Sequence, residues 1–132
     1  MTNQDAILGA LCAWRENRSG GVPGMTSVLN VLQNRAAARG TSIYAEAVRP
    51  MQFSSMTAKG DPQLTLYPAP DDPQWAVALS LSAQMASGTL QDITQGATMY
   101  YSPAGMPEGK APYWAASMQQ TVTVAGQIFF KP

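Results

Sequence analysis

The chain has 132 residues, 45% of them hydrophobic, enough for one domain with a real core. Eight basic and eight acidic residues cancel to zero formal net charge, which excludes nucleic acid or an anionic membrane held by charge alone. Histidine is absent and Cys12 is the single cysteine, so Ser/His/Asp and Cys/His catalysis, His-rich zinc sites and an intrachain disulfide are excluded.

In chain order, Thr2 or Asn3 caps a first helix that ends near Asn17, with Ile7, Leu8, Leu11 and Cys12 on one face. Cys12 reads as a small core residue. The start of the chain carries Asp5 where a signal peptide wants positive charge, and no small-residue cleavage site follows an apolar stretch. Synthesis in the cytoplasm without a signal peptide is expected, and no apolar run approaches the roughly 20 residues that span a bilayer.

After Ser19-Gly20-Gly21-Val22-Pro23-Gly24, the spacing of Met25, Val28, Leu29, Leu32 and Ala36 predicts a second helix from about Met25 to Arg39, stopped by Gly40. Asn30 and Asn34 lie four apart on another face, where a plain solvated face is the simpler reading. The stretch from Thr41 to Asp72 is rich in Pro, Ser and Gly and holds one short helical candidate, Ile43 to Val48, before Arg49-Pro50-Met51-Gln52-Phe53-Ser54-Ser55. Asp72-Pro73 opens a third long helix that runs to Gly88, with Trp75 as a core anchor. A Pro/Gly loop from Ser102 to Pro112 and a short helix from Tyr113 to Met118 follow, and the C-terminus reads as a hairpin turning at Ala125-Gly126.

Without histidine or clustered cysteine, proton transfer falls to carboxylates, tyrosines and lysines, and glycosidic bond cleavage needs little more than one well-placed carboxylic acid. Glu16 stands where the first helix gives way to the glycine-rich loop. The negative end of the helix dipole disfavours its anion, as suits a general acid, while Arg15 and Arg18 push the other way. A glutamate fraying into solvent is the plain alternative.

The fragments WREN…NVLQNR, QFS, DPxWxxA, GATxYY and PYWAxSM stand in the order and rough spacing of the cell-wall hydrolase family typified by the catalytic domain of the spore-cortex-lytic enzyme. The chain resembles that family from about Ala6 to Phe130. The resemblance implies an α+β, mainly α, single lysozyme-like domain over residues 1–132 with a small C-terminal β-hairpin. It also implies cleavage of the MurNAc-GlcNAc β-1,4 bond of peptidoglycan, typically as a lytic transglycosylase, with no metal and no cofactor. Glu16 matches the family's general acid. Gln52, Phe53 and Ser54 match its Gln-Phe-Ser and are expected to line sugar subsites, and Thr98, Tyr100 and Tyr101 match its Gly-Ala-Thr strand and are expected to face the same cleft. Asn30, Asn34 and Arg35 resemble its Asn-Arg helix and are expected to hold the glutamate's helix by polar contacts.

Two departures stand out. Many members carry a second acid shortly after the first, where this chain has Ser19-Gly20-Gly21, and a histidine after Gly-Ala-Thr, where it has Met99. A transglycosylase needs no second carboxylate; an inverting muramidase would draw one from Asp61, Asp71, Asp72 or Asp92, of which Asp72 is better explained as a helix cap.

The expected partner is the peptidoglycan glycan strand, with no nucleic acid and no stable membrane insertion. The expected setting is a monomeric phage endolysin that reaches the periplasm and cell wall through a holin or a secretion apparatus. A secreted effector or a virion lysin would read almost the same. The rivals are a non-enzymatic glycan-binding or virion domain of the same fold, and an unrelated helical interaction domain that meets its partner through Trp14, Trp75 and Trp114.

Overall fold

Thr2 opens the first helix, α1 (Asn3–Asn17), through a capping box: its hydroxyl accepts the Asp5 amide at 3.1 Å and the Asp5 carboxylate accepts the Thr2 amide at 2.9 Å. The computed structural model describes residues 1–132. One 3-10 turn (Arg18–Gly20) leads into α2 (Gly21–Arg39), α3 (Ile43–Ala47), α4 (Ser54–Thr57) and α5 (Pro73–Ser87), followed by strands β1 (Met99–Tyr101), β2 (Gln119–Val124) and β3 (Gln127–Lys131). The fold is 58% helical with a small antiparallel sheet, the α+β, mainly α class expected from the sequence.

Every residue of α2 from Gly24 to Leu32 is buried, so this helix runs through the centre of the molecule rather than across its surface. The face α1 buries is made of small residues, Gly9, Ala10, Cys12 and Ala13, which lets its neighbours come close. A Cβ on Gly9 would lie 3.1 Å from Met85 Cε and 3.2 Å from Ile43 Cγ2. This shifts the buried stripe expected on α1: Cys12 is inside, Leu8 and Leu11 are half-buried, and Ile7 is 49% exposed.

The second helix starts at Gly21, earlier than the apolar spacing from Met25 implies. Pro23 fits that first turn because no intrahelical partner exists there for the N–H it lacks. The other long helix is as expected: Asp72 accepts the Gln74 amide at 2.8 Å, Pro73 follows, and Gly88 ends it at φ 77°. Trp75 is half-buried and packs against the core.

Ala125 and Gly126 both adopt positive φ, 47° and 80°, the left-handed pair that a two-residue hairpin turn demands. The hairpin is not alone: β1 joins the free edge of β3, giving the strand order β1-β3-β2 with Tyr100 opposite Phe129. Phe129 is fully buried and joins Trp14, Leu29, Phe53 and Met85 in one core, so the sheet is welded to the helices. No helix is long and apolar enough to cross a membrane.

Candidate active site

The last turn of α1 is anchored by the residues on either side of Glu16. Trp14 is buried and its indole Nε1 donates to Asp72 at 3.2 Å, which ties the helix end to the cap of α5. Arg15 is buried too, with Nε donating to the Leu66 carbonyl at 3.0 Å and Nη1 to the Ser55 carbonyl at 3.2 Å. Asn17 accepts the Gly20 amide at 3.1 Å and donates to Gln127 of β3 at 3.1 Å. The guanidinium of Arg18 stacks 4.0 Å from the Trp14 ring centroid and donates to the Trp14 carbonyl at 3.1 Å and to Gln63 at 2.7 Å.

The glycine-rich loop now has a reason. A Cβ on Gly24 would lie 2.8 Å from the Asn17 side chain and 3.0 Å from its carbonyl oxygen, and one on Gly20 would lie 2.9 Å from Ala125 Cβ. Both glycines let α2 and the hairpin turn close on the end of α1.

Against that rigid frame the Glu16 carboxylate takes two hydroxyl donors. Ser55 Oγ donates to Oε2 at 2.5 Å and the Tyr100 hydroxyl donates to Oε1. Neither Arg15 nor Arg18 forms an ion pair with it; the protein's ion pairs lie elsewhere, at Glu46 and Glu108. The Tyr100 ring sits between Phe53 and Phe129, with centroids at 6.5 and 5.2 Å, so its hydroxyl has one place to go. Burial pushes the Tyr100 phenol well above its ordinary 10.0, and the neighbouring Glu16 adds to the shift, which keeps it a donor at every physiological pH. Burial likewise pushes the Cys12 thiol up, with Glu16 contributing, so Cys12 is no nucleophile.

Asn30, Asn34 and Arg35 do not brace α1 as expected; they clamp the loop that delivers Tyr100. Asn30 donates to the Gln91 carbonyl at 3.0 Å and accepts the Ile93 amide at 2.9 Å. Asn34 donates to the Asp92 carboxylate at 3.0 Å and the Ala97 carbonyl at 2.9 Å, and Arg35 Nε donates to the Thr98 carbonyl at 2.6 Å. Asp92 closes the loop on itself through the Thr94 and Gly96 amides. Burial pulls the Arg35 guanidinium below its ordinary value, and no carboxylate comes within 4.0 Å of it.

The remaining expected residues scatter. Phe53 is 1% exposed and belongs to the core, with Arg35 stacked 4.9 Å from its centroid, so it offers no surface to a sugar. Gln52 and Ser54 line a second hollow with Met51 and Thr57, and Ser54 donates to Asp61 at 2.6 Å. Tyr101 points to the other side of β1 from Tyr100, as strand alternation requires, and stacks on Phe130 with Trp114 at its edge. Thr98 contributes its backbone. The residue that sequence reasoning missed is Ser55. At the start of the single turn of α4, Ser55 is buried and turned to Glu16 while Ser54 is exposed; the doubled serine after Gln-Phe was the available signal.

Of the four aspartates considered as a second acid, Asp61, Asp72 and Asp92 are spent on caps and turns, and Asp71 is exposed. The hollow beside Glu16, about 370 Å³, is lined by Arg15, Glu16, Asn17, Arg18, Ser19 and Gln63, and holds no other carboxylate.

Residues 19–130 match the Cell Wall Hydrolase family. The chain belongs to that family. The matched segment begins just beyond Glu16 and includes Ser55 and Tyr100. The structure is similar to the catalytic domain of the germination-specific lytic transglycosylase SleB from Bacillus anthracis, with a TM-score of 0.74 at 20% identity, over 99% of this chain and 97% of that one. That likeness gives this member of the family its lysozyme-like fold. No curated protein matches. As a cell wall hydrolase, the chain is an enzyme of peptidoglycan degradation.

Proposed function

We propose that this cell wall hydrolase cleaves the MurNAc-GlcNAc β-1,4 bond of peptidoglycan as a lytic transglycosylase, with Glu16 as both acid and base. The observation that carries this reading is a lone carboxylate, fixed by the Tyr100 and Ser55 hydroxyls, in a hollow with no second acid to hold a water. Glu16 gives its proton to the glycosidic oxygen as the C1–O4 bond breaks, which releases the GlcNAc hydroxyl and leaves positive charge on C1 and its ring oxygen. The resulting carboxylate then takes the proton of the muramoyl C6 hydroxyl as O6 bonds to C1. The proton returns to Glu16, and no water is consumed. Tyr100 and Ser55 hold the carboxylate in place through both halves.

The likeness to a lytic transglycosylase domain supports the same reading. So does the aromatic packing that locks Tyr100, because a pre-positioned donor costs nothing to align at the moment of reaction. The rest of the chain, residues 1–132, serves in this reading as one domain that holds Glu16 in place. The biological setting we propose is release onto the wall of a lysing bacterium, as for a phage endolysin, and lysis on expression that depends on a co-expressed holin tests it.

The test of the chemistry is release of soluble muropeptides from purified sacculi. Glu16→Gln keeps the shape and one hydroxyl donor, the other hydroxyl turning to accept from the amide, but has no acidic proton to give, so release falls to background while the melting temperature stays near the wild type. Wild-type rates in a folded Glu16→Gln variant overturn the assignment.

A further inference from the structure

The hollow beside Glu16 carries more positive charge than the proposed bond cleavage requires. Arg15 and Arg18 both line it, and neither has a carboxylate within 4.0 Å, although the protein as a whole is neutral. Its acidic groups are used otherwise: Glu46 pairs with Arg39 and Arg49, Glu108 with Lys110, and Asp61 caps the turn at Pro62–Thr65. Arg15 is 7% exposed and its Nη2 is buried without a hydrogen-bond partner, so its charge, held by the Leu66 and Ser55 carbonyls and the Tyr67 ring, lies under the hollow with no anion to pair it.

Arg18 is built as a fork in waiting. The Trp14 ring fixes the plane of its guanidinium, and the Trp14 carbonyl and Gln63 both hold Nη1. Its Nε and Nη2 make no hydrogen bond, and those donors suit a carboxylate in bidentate geometry. When Glu16 carries the proton it donates, the hollow holds two cations and no anion.

Building on the peptidoglycan reading, we infer that the hollow formed by Arg15, Arg18 and Gln63 is a subsite for a carboxylate of the muramoyl substituent. The anions of a peptidoglycan strand are borne on the stem peptides and, once a stem is removed, on the lactyl group, so the subsite distinguishes strands by the charge next to the scissile bond. It makes the enzyme selective among strands of the same sugar sequence.

Initial rates of product release on three substrates test this: native sacculi, sacculi whose carboxylates have been converted to neutral amides with carbodiimide and ammonia, and strands stripped of stems by an amidase. The wild type is expected to cleave native sacculi about tenfold faster than amidated ones, the low end of what a charge-assisted hydrogen bond is worth. Stripped strands that behave like native ones show that the subsite also takes the lactyl carboxylate, and stripped strands that behave like amidated ones restrict it to the stem. Arg18→Gln is expected to bring the native-to-amidated ratio close to one, and Arg18→Lys to restore part of it. Equal wild-type rates on native and amidated sacculi overturn the subsite without touching the cleavage reading, and need no variant to fold. Release of no product from any of the three overturns the cleavage reading and the subsite with it.

Discussion

Two hydroxyls hold the Glu16 carboxylate, and only one of them is legible in the sequence. Tyr100 stands in the GATxYY fragment, while Ser55 is one residue beyond the matched Gln-Phe-Ser, and only the turn of α4 reveals which serine faces Glu16. Removing the Tyr100 hydroxyl leaves Oε1 without its donor. Tyr100→Phe is expected to lower kcat by on the order of a hundredfold with KM little changed, because it disturbs the reacting geometry rather than binding. Steady-state kinetics on solubilised strands checks this. Ser55→Ala is expected to act in the same direction. The raised phenol also has a consequence for stability. Tyr100 stays protonated in the folded state where the unfolded chain ionises, so its contribution is intact below its ordinary 10.0 and is lost as pH rises through the folded value. Chemical denaturation at alkaline pH is expected to show that decline in the wild type and a weaker one in Tyr100→Phe.

At the scale of elements, the long helices were legible because capping and apolar period agree: Thr2, Asp72, Gly40 and Gly88 bound them as expected. The early start of α2 was not, because Gly21-Val22-Pro23 is a loop by composition and becomes helix only when Gly24 packs on Asn17. Gly24→Ala is therefore expected to cost about 1–3 kcal/mol, and to reduce activity further than that loss explains because the collision falls on the residue after Glu16. Thermal melting and kinetics on one preparation separate the two effects. The role of the Asn30, Asn34 and Arg35 helix face was legible as polar but not as to its target, since the loop it holds lies some 60 residues further along the chain. Within that loop burial would raise Asp92, but the Thr94 and Asn34 hydrogen bonds outweigh it and hold the carboxyl below its ordinary 3.8. Its contribution is present above that value and is lost as pH falls through the lowered one. The protection of the Gly96 amide against hydrogen exchange, taken relative to its intrinsic rate at each pH, is expected to fall in acid, and to lose that dependence in Asp92→Asn.

Across the whole molecule, Glu16, its hydroxyl donors and the loop clamp come from α1, α4, β1 and α2, joined through a single core. Phe129 links the sheet to that core and flanks Tyr100, so Phe129→Ala is expected to cost about 3–5 kcal/mol in one cooperative transition seen alike by far-UV circular dichroism and by tryptophan fluorescence. The fold class and the family were legible from fragment order, but which of the matched aromatic residues faced the site was not. Strand parity and core packing decide that, sending Tyr101 and Phe53 away from Glu16. The absence of a second carboxylate in the hollow is likewise a property of the assembled molecule, since four aspartates in the sequence left the choice open. That absence is what separates intramolecular attack from attack by water, and digestion of sacculi in water labelled with oxygen-18, read by mass spectrometry, tests it most directly. Intramolecular attack yields muropeptides one water lighter than hydrolysis products, ending in 1,6-anhydro-muramic acid and carrying no label, and this is the expected result. Reducing ends that carry the label would show water attacking C1 and contradict it.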